Sequence, residues 1–295
     1  MLGSGSEAED AVQETMLRAW RGAESFAGRS SVRTWLFRIA TNVCTDMGRS
    51  PQRRARPVDL GPVREPDPAY LADILPDGSW ITPIADASVI DPGADPAEIA
   101  ATRDTIRLAF VSALQLLPAR QRAALVLCDV LRWPAVEAAE LLETSTSSVN
   151  SALQRARATM AGAPTASPAP LSDDEQRFLA RYVDAFERYD MDALAALLHD
   201  DVTQNMPPYA MWLQGRDDVL AWYVGPGIEC KGSRVLTGRA NGCPAFAQYR
   251  IDPAGGHAAW ALQVLELRGD RVEAIHAFLD TAESFPRFGF PPRLD

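Results

Sequence analysis

The chain has 295 residues, of which 47% are hydrophobic, and a formal net charge of −10, a balance that suits two or three domains with real cores and excludes wholesale disorder. No apolar run reaches the roughly 18–20 residues of a membrane span, and MLGSGSEAED lacks the basic and apolar regions of a secretory signal. The expected location is therefore the cytoplasm, away from membranes, with Cys44, Cys128, Cys230 and Cys243 reduced; none has CxxC spacing, and no metal or cofactor is expected.

Charge is uneven along the chain. Residues 1–56 carry nine basic and six acidic side chains, 57–103 two and nine, 104–160 six and five, and 161–295 twelve and nineteen. A chain this acidic is a poor autonomous DNA binder, because phosphate neutralisation supplies most non-specific affinity. Any nucleic-acid role must be local or lent by a partner.

Residues 7–21 and 31–47 have helical periodicity, through Ala8, Val12, Thr15, Met16 and Ala19, then Val32, Trp35, Leu36, Ile39, Val43 and Met47. Between them GAESFAGRSS supplies a loop and an N-cap. On the first helix Glu9, Asp10, Gln13 and Glu14 form a polar stripe opposite Val12, Met16 and Ala19. On the second, Arg33, Arg38, Thr41, Asn42, Asp46 and Arg49 face outward. Residues 57–103 are acidic and proline-rich, and steps such as Asp67-Pro68 and Asp91-Pro92 predict an extended linker.

Residues 104–162 are helical again. Within them, LPARQRAALVLCDVLRWPAVEAAELLETSTSSVNSALQRARATM predicts helices over 121–131, 135–142 and 147–160, with a tight turn at Glu143-Thr144-Ser145. This is a helix-turn-helix pattern. Val149, Leu153, Ala156 and Met160 face inward on its last helix, leaving Ser148, Asn150, Ser151, Gln154, Arg155 and Arg157 available to DNA. Amides and guanidiniums suit base edges, and hydroxyls suit phosphates. A plain three-helix bundle with a solvated face is the alternative; the short turn, Ala138, Ala139 and the paired arginines weigh against it.

A second linker at 163–170 precedes a helix capped by Ser172 and Glu175 and running to about Tyr189. Short helices follow at 190 and 216–223. Alternation in GRANGCPAFAQYRI, HAAWALQVLEL and RVEAIHAFLD, with turns at DPAGG and RGD, predicts an antiparallel meander and hence an α+β domain over 171–295. The apolar tail FPRFGFPPRLD is expected to dock against a neighbouring domain.

AEDAVQETMLRAW and FAGRSSVRTWLFRIATNVCTDMGR resemble region two of the extracytoplasmic-function (group IV) sigma factors of the sigma-70 family, and residues 117–160 closely resemble their region four. The two matches, in family order and joined by a linker, cover residues 7–160. The resemblance implies a dissociable subunit that gives RNA polymerase its promoter specificity, with core RNA polymerase and promoter DNA as partners. It implies that Glu9, Asp10, Gln13 and Glu14 grip a basic coiled coil of the largest polymerase subunit. Arg29, Trp35, Arg38, Asn42 and Arg49, with Phe26 and Phe37, would hold the melted −10 element, and Ser148, Asn150, Ser151, Gln154, Arg155 and Arg157 would read the −35 element. Region two usually has a further helix before AEDAVQET, so residues 1–56 read as N-terminally truncated. The acidic linker has two readings: a transcript mimic in the RNA-exit path, and a disordered tether.

Residues 171–295 resemble the SnoaL-like cone fold, which implies a pocket for a small-molecule ligand at Tyr182, Asn205, Trp212, Trp222, His276 and Asp280, near Met206 and Tyr209. The three histidines have no spacing that demands catalysis or metal, so the domain is read as a regulatory module and not an enzyme. The expected whole is multidomain: two all-α sigma domains, the second a helix-turn-helix, and a C-terminal α+β SnoaL-like cone. A stand-alone helix-turn-helix regulator and an attached SnoaL-like enzyme domain are the alternatives.

Overall fold

Three serines mark helix starts as their type predicts: the hydroxyls of Ser4, Ser31 and Ser145 accept the backbone N–H of Glu7, Thr34 and Ser148 at 3.4, 3.0 and 3.2 Å. In the computed structural model the helices are α1 (Gly5–Gly22), α2 (Val32–Met47), α3 (Pro96–Ile106), α4 (Leu108–Gln115), α5 (Ala119–Leu125), α6 (Ala135–Leu141), α7 (Thr146–Met160), α8 (Asp173–Arg188), α9 (Met191–Leu197) and α10 (Arg216–Val224). The strands are β1 (Leu198–Asn205), β2 (Trp212–Gln214), β3 (Arg234–Ala240), β4 (Cys243–Ile251), β5 (His257–Arg268), β6 (Arg271–Phe278) and β7 (Arg293–Leu294). The structure describes residues 1–28, 30–48, 54–76, 78–161, 173–279 and 282–295, with backbone alone at 173 and 174.

Two units emerge, one from Met1–Arg54 and Leu108–Thr165, the other from Ala55–Arg107 and Ala166–Asp295. In the first, α1 packs on α2 and α7 packs on α5 and α6. Ala124, Ala138 and Ala156, all at 0% exposure, let these short helices approach closely around Leu125, Leu141, Val149 and Leu153. Between α5 and α6 the chain makes a π-helical turn, Val126–Val130, then turns through Arg132 at φ 59° into the buried Trp133.

The second unit is built on a mixed sheet of order β2-β1-β6-β5-β4-β3, with β7 paired to β5. The meander β3-β4-β5-β6 is antiparallel as alternation predicts. The parallel pairing of β1 with β6 is not in the sequence reading. One face carries Phe246, Leu265, Ile275 and Ala277 into a core shared with Phe178, Tyr182 and Phe186 of α8 and Trp222 of α10. The tail docks on its own domain, with β7 on β5 and Tyr249 donating its hydroxyl to the Pro291 carbonyl at 2.8 Å. Gly238 is needed there, since a Cβ would stand 2.6 Å from Phe290.

Residues 55–107 correct the expectation of an extended linker: they fold onto the sheet domain as a strap. Gly61 O and the Trp212 backbone O accept N–H groups from Trp212 Nε1 and Arg64 at 2.9 and 3.0 Å. Asn241 clamps the middle and the end of the strap, receiving the Ile84 N–H at its Oδ1 (3.0 Å) and donating from Nδ2 to Ile106 O (2.8 Å). Ile81 is 2% exposed, a burial worth about 1.5–3 kcal/mol. Several acidic residues of the strap act locally, Asp67, Asp91 and Asp95 accepting N–H groups of their own turns and Asp59 holding Arg56, whereas Asp86 anchors the distant β3–β4 turn.

Candidate nucleic-acid interface

On α7, Val149, Ala152, Leu153 and Ala156 are buried, and Ser148, Asn150, Ser151, Gln154, Arg155 and Arg157 are all exposed. Helical spacing divides the exposed set into two flanks. Asn150, Gln154 and Arg157 line a concavity of about 540 Å³ with Cys128, Asp129 and Trp133. Ser148 and Arg155 line another, of about 500 Å³, opposite Thr41, Asn42 and Thr45 of α2. Arg157 is already oriented, donating from Nε and Nη2 to the two oxygens of Asp129 at 2.9 and 2.7 Å.

Before α2, Phe26 and Trp35 form an aromatic pair with ring centroids 4.9 Å apart, both rings half-buried. That is a surface on which an unstacked base can lie. Asn42 is exposed, and Arg38 is half-buried with its Nε–H unpaired among the described residues. Phe37 turns away from this surface: its ring lies 5.2 Å from that of Trp133, with the Arg33 guanidinium 5.6 and 5.7 Å from the two centroids. These residues join α2 to the α5–α6 connection. Arg29 and Arg49 lie outside the described residues.

Asn42 and Arg155 therefore border one cleft. Promoter elements at −10 and −35 are about 25 base pairs apart, or roughly 85 Å at 3.4 Å per pair. A cleft of about 500 Å³ is far smaller than that span.

On α1 the expected inner face is corrected. The buried row is Ala11, Thr15 and Ala19, whereas Val12 and Met16 are 57% and 55% exposed. Small residues at i, i+4 and i+8 let α2 approach closely and leave the larger ones on the flanks. Glu9, Asp10 and Gln13 are exposed among Met16, Leu17 and the 83% exposed Trp20. Glu14 pairs with Arg18 at 2.6 Å. The apolar part of this face went unread in the sequence; the Ala11-Thr15-Ala19 row was the signal that marked the true inner side.

In the second unit the pocket candidates fall on two faces of the sheet. Tyr182 and Trp222 lie in the helix-side core, where burial pushes the Tyr182 hydroxyl far above its ordinary pKa. Asn205, Trp212 and His276 are register partners on the opposite face. There Asn205 Oδ1 accepts the Val58 N–H at 2.9 Å, and His276 Nε2 lies 3.3 Å from Glu266 Oε1. Met206 is buried in the helix-side core, and Tyr209 bridges Ile74 of the strap. Asp280 and Ser172 lie outside the described residues; Glu175 stands 3.7 Å from Arg239. The cause is strand alternation: Gln204 pairs with Ile275 of the core, so Asn205 and His276 must face away.

Comparison with known proteins gives matches along most of the chain. Residues 1–54 match the sigma-70 region 2 family, 107–160 sigma-70 region 4, and 179–280 the SnoaL-like domain. The chain is 44% identical over 301 aligned residues to the ECF RNA polymerase sigma factor SigG of Mycobacterium tuberculosis, covering 100% of this chain and 80% of that one. It is 30% identical over 155 residues to SigM of the same species, covering 52% and 63%. The crystal structure of M. tuberculosis SigJ, at 21% identity, superposes with a TM-score of 0.63 over 99% of this chain and 93% of that one, a likeness of fold. Among the described residues no helix is long and apolar enough to cross a membrane.

Proposed function

This chain belongs to the extracytoplasmic-function RNA polymerase sigma factors and carries a C-terminal SnoaL-like domain, and from that premise we propose which of its surfaces do the work. α7 reads the −35 element, and the Phe26–Trp35 pair, with Arg38 and Asn42, receives the unstacked −10 strand. The observation that carries the first assignment is the exposure of six donor- and acceptor-bearing residues on a helix whose other side is buried. The exposed acidic and apolar face of α1, with Glu9, Asp10, Gln13 and Trp20, docks on core RNA polymerase. An acidic chain needs that partner to overcome phosphate repulsion.

The SnoaL-like domain acts through the strap. Held on the sheet, residues 55–107 tie down the chain that joins the two sigma regions. Released, about 50 residues reach roughly 170 Å, twice the promoter span. The domain is therefore proposed as a regulator of opening, with no catalytic role. A ligand site made from Tyr182, Asn205, Trp212, Trp222 and His276 is not proposed, because they lie on two faces of the sheet.

Run-off transcription with purified core polymerase tests the assignment, using the full chain and one ending before residue 171. The expected result is a promoter-dependent transcript whose yield differs between the two. DNA binding without polymerase, or equal yields, would count against the reading.

A further inference from the structure

Arg157 is more than half exposed, at 62%, yet its guanidinium is fixed by a carboxylate 28 residues away that is only 30% exposed. Exposure limits what even a bidentate pair adds to stability, whereas two parallel bonds fix the direction in which the guanidinium points. Its construction is unusual. The π-helical turn Val126–Val130, closed by Leu131 N–H to Val126 O at 2.9 Å, adds a residue to the helix and swings Asp129 toward α7.

The donor inventory shows what the pairing leaves available. Arginine has five N–H donors. Asp129 takes the side edge, through Nε and Nη2. The end edge, with one Nη1–H and the second Nη2–H, has no partner among the described residues and lies beside Asn150 and Gln154. Two parallel donors on that edge match the O6 and N7 acceptors of guanine in a major groove.

We infer that Asp129 is a positioning residue that sets promoter specificity, holding Arg157 so that its end edge addresses a guanine in the −35 element. The inference rests on α7 being the −35 reader. Without Asp129 the arginine samples many rotamers, still neutralises phosphate, and no longer favours one base.

The test uses holoenzyme reconstituted from core polymerase and the full chain, on templates with the −35 element varied one position at a time. The unaltered chain should show a guanine preference that Arg157→Ala removes. Asp129→Ala should weaken that same preference about tenfold and leave preferences elsewhere unchanged; Asp129→Asn, close to it in shape, serves if the alanine variant fails to fold. If Arg157→Ala removes the preference and both Asp129 variants keep it, the positioning role is overturned while the α7 assignment stands. If Arg157→Ala changes no preference, both are overturned.

Discussion

The side-chain oxygen of Asn205, at 1% exposure, accepts the backbone N–H of Val58 at 2.9 Å across 147 residues of sequence. This bond fastens the start of the strap to the far side of the sheet. Asn205→Ala removes the acceptor and should cost about 1–2 kcal/mol of stability. Limited proteolysis should then cut residues 55–107 faster, while the helical signal of α7 and its neighbours persists. An unchanged cleavage rate would mean that the bond does not hold the strap.

Asp86 fastens the middle. Its oxygens accept the Gly242 N–H at 2.8 Å and the Arg239 Nε–H at 3.0 Å. Asp86→Ala takes the nearer carboxylate from a partly buried guanidinium, leaving it the Gly242 carbonyl and the more distant Glu175, and should cost about 2–3 kcal/mol, less than a fully buried pair because Arg239 keeps some contact with water. Thermal unfolding should show a drop larger than that of Asn205→Ala.

Acid should loosen the same surface. Burial alone would raise the Glu266 carboxyl, but contact with His276 and the charges of Arg56 and Arg107 outweigh it and hold the group below the usual glutamate value of 4.5. A carboxyl depressed in the folded state stabilises it above the unfolded pKa, and that contribution disappears as pH falls through the folded value. Urea midpoints should therefore fall below about pH 4, and Glu266→Gln should flatten that part of the profile. An identical acid profile in the variant would contradict this source of stability.

Phe26 carries a prediction about melting. Base–aromatic stacking contributes about 1–3 kcal/mol per base, so Phe26→Ala should weaken holoenzyme binding to a single-stranded −10 oligonucleotide by roughly 5–150-fold. Binding to duplex −35 DNA should not change. Equal losses on both would point to a folding defect.

The helical modules and the meander were legible because each repeats its apolar residues at a fixed period, as Val149, Leu153 and Ala156 do on α7. The strap was not, because it attaches through single polar anchors such as Asn205 and Asn241 on distant strands, and its prolines and aspartates read as turns wherever they pack. β1 was missed for a related reason: LHDDVTQN has few apolar residues, since it sits between a helix-side core and the strap and buries Gln204 and Asn205. The six polar residues singled out on α7 are exposed, as its periodicity predicts. The contact that orients one of them was not legible, because Asp129 reaches α7 only through a π-helical turn that periodicity does not show.

The most direct test is a distance. Labels on α2 and α7, placed away from Asn42 and Arg155, report how far the two proposed DNA-binding surfaces stand apart. A unit of this size has a radius of gyration of about 13 Å, so the free chain should give less than about 40 Å. In promoter-bound holoenzyme the separation should approach the roughly 85 Å between the elements. Active transcription with the short distance retained would contradict the proposed division of labour between α2 and α7.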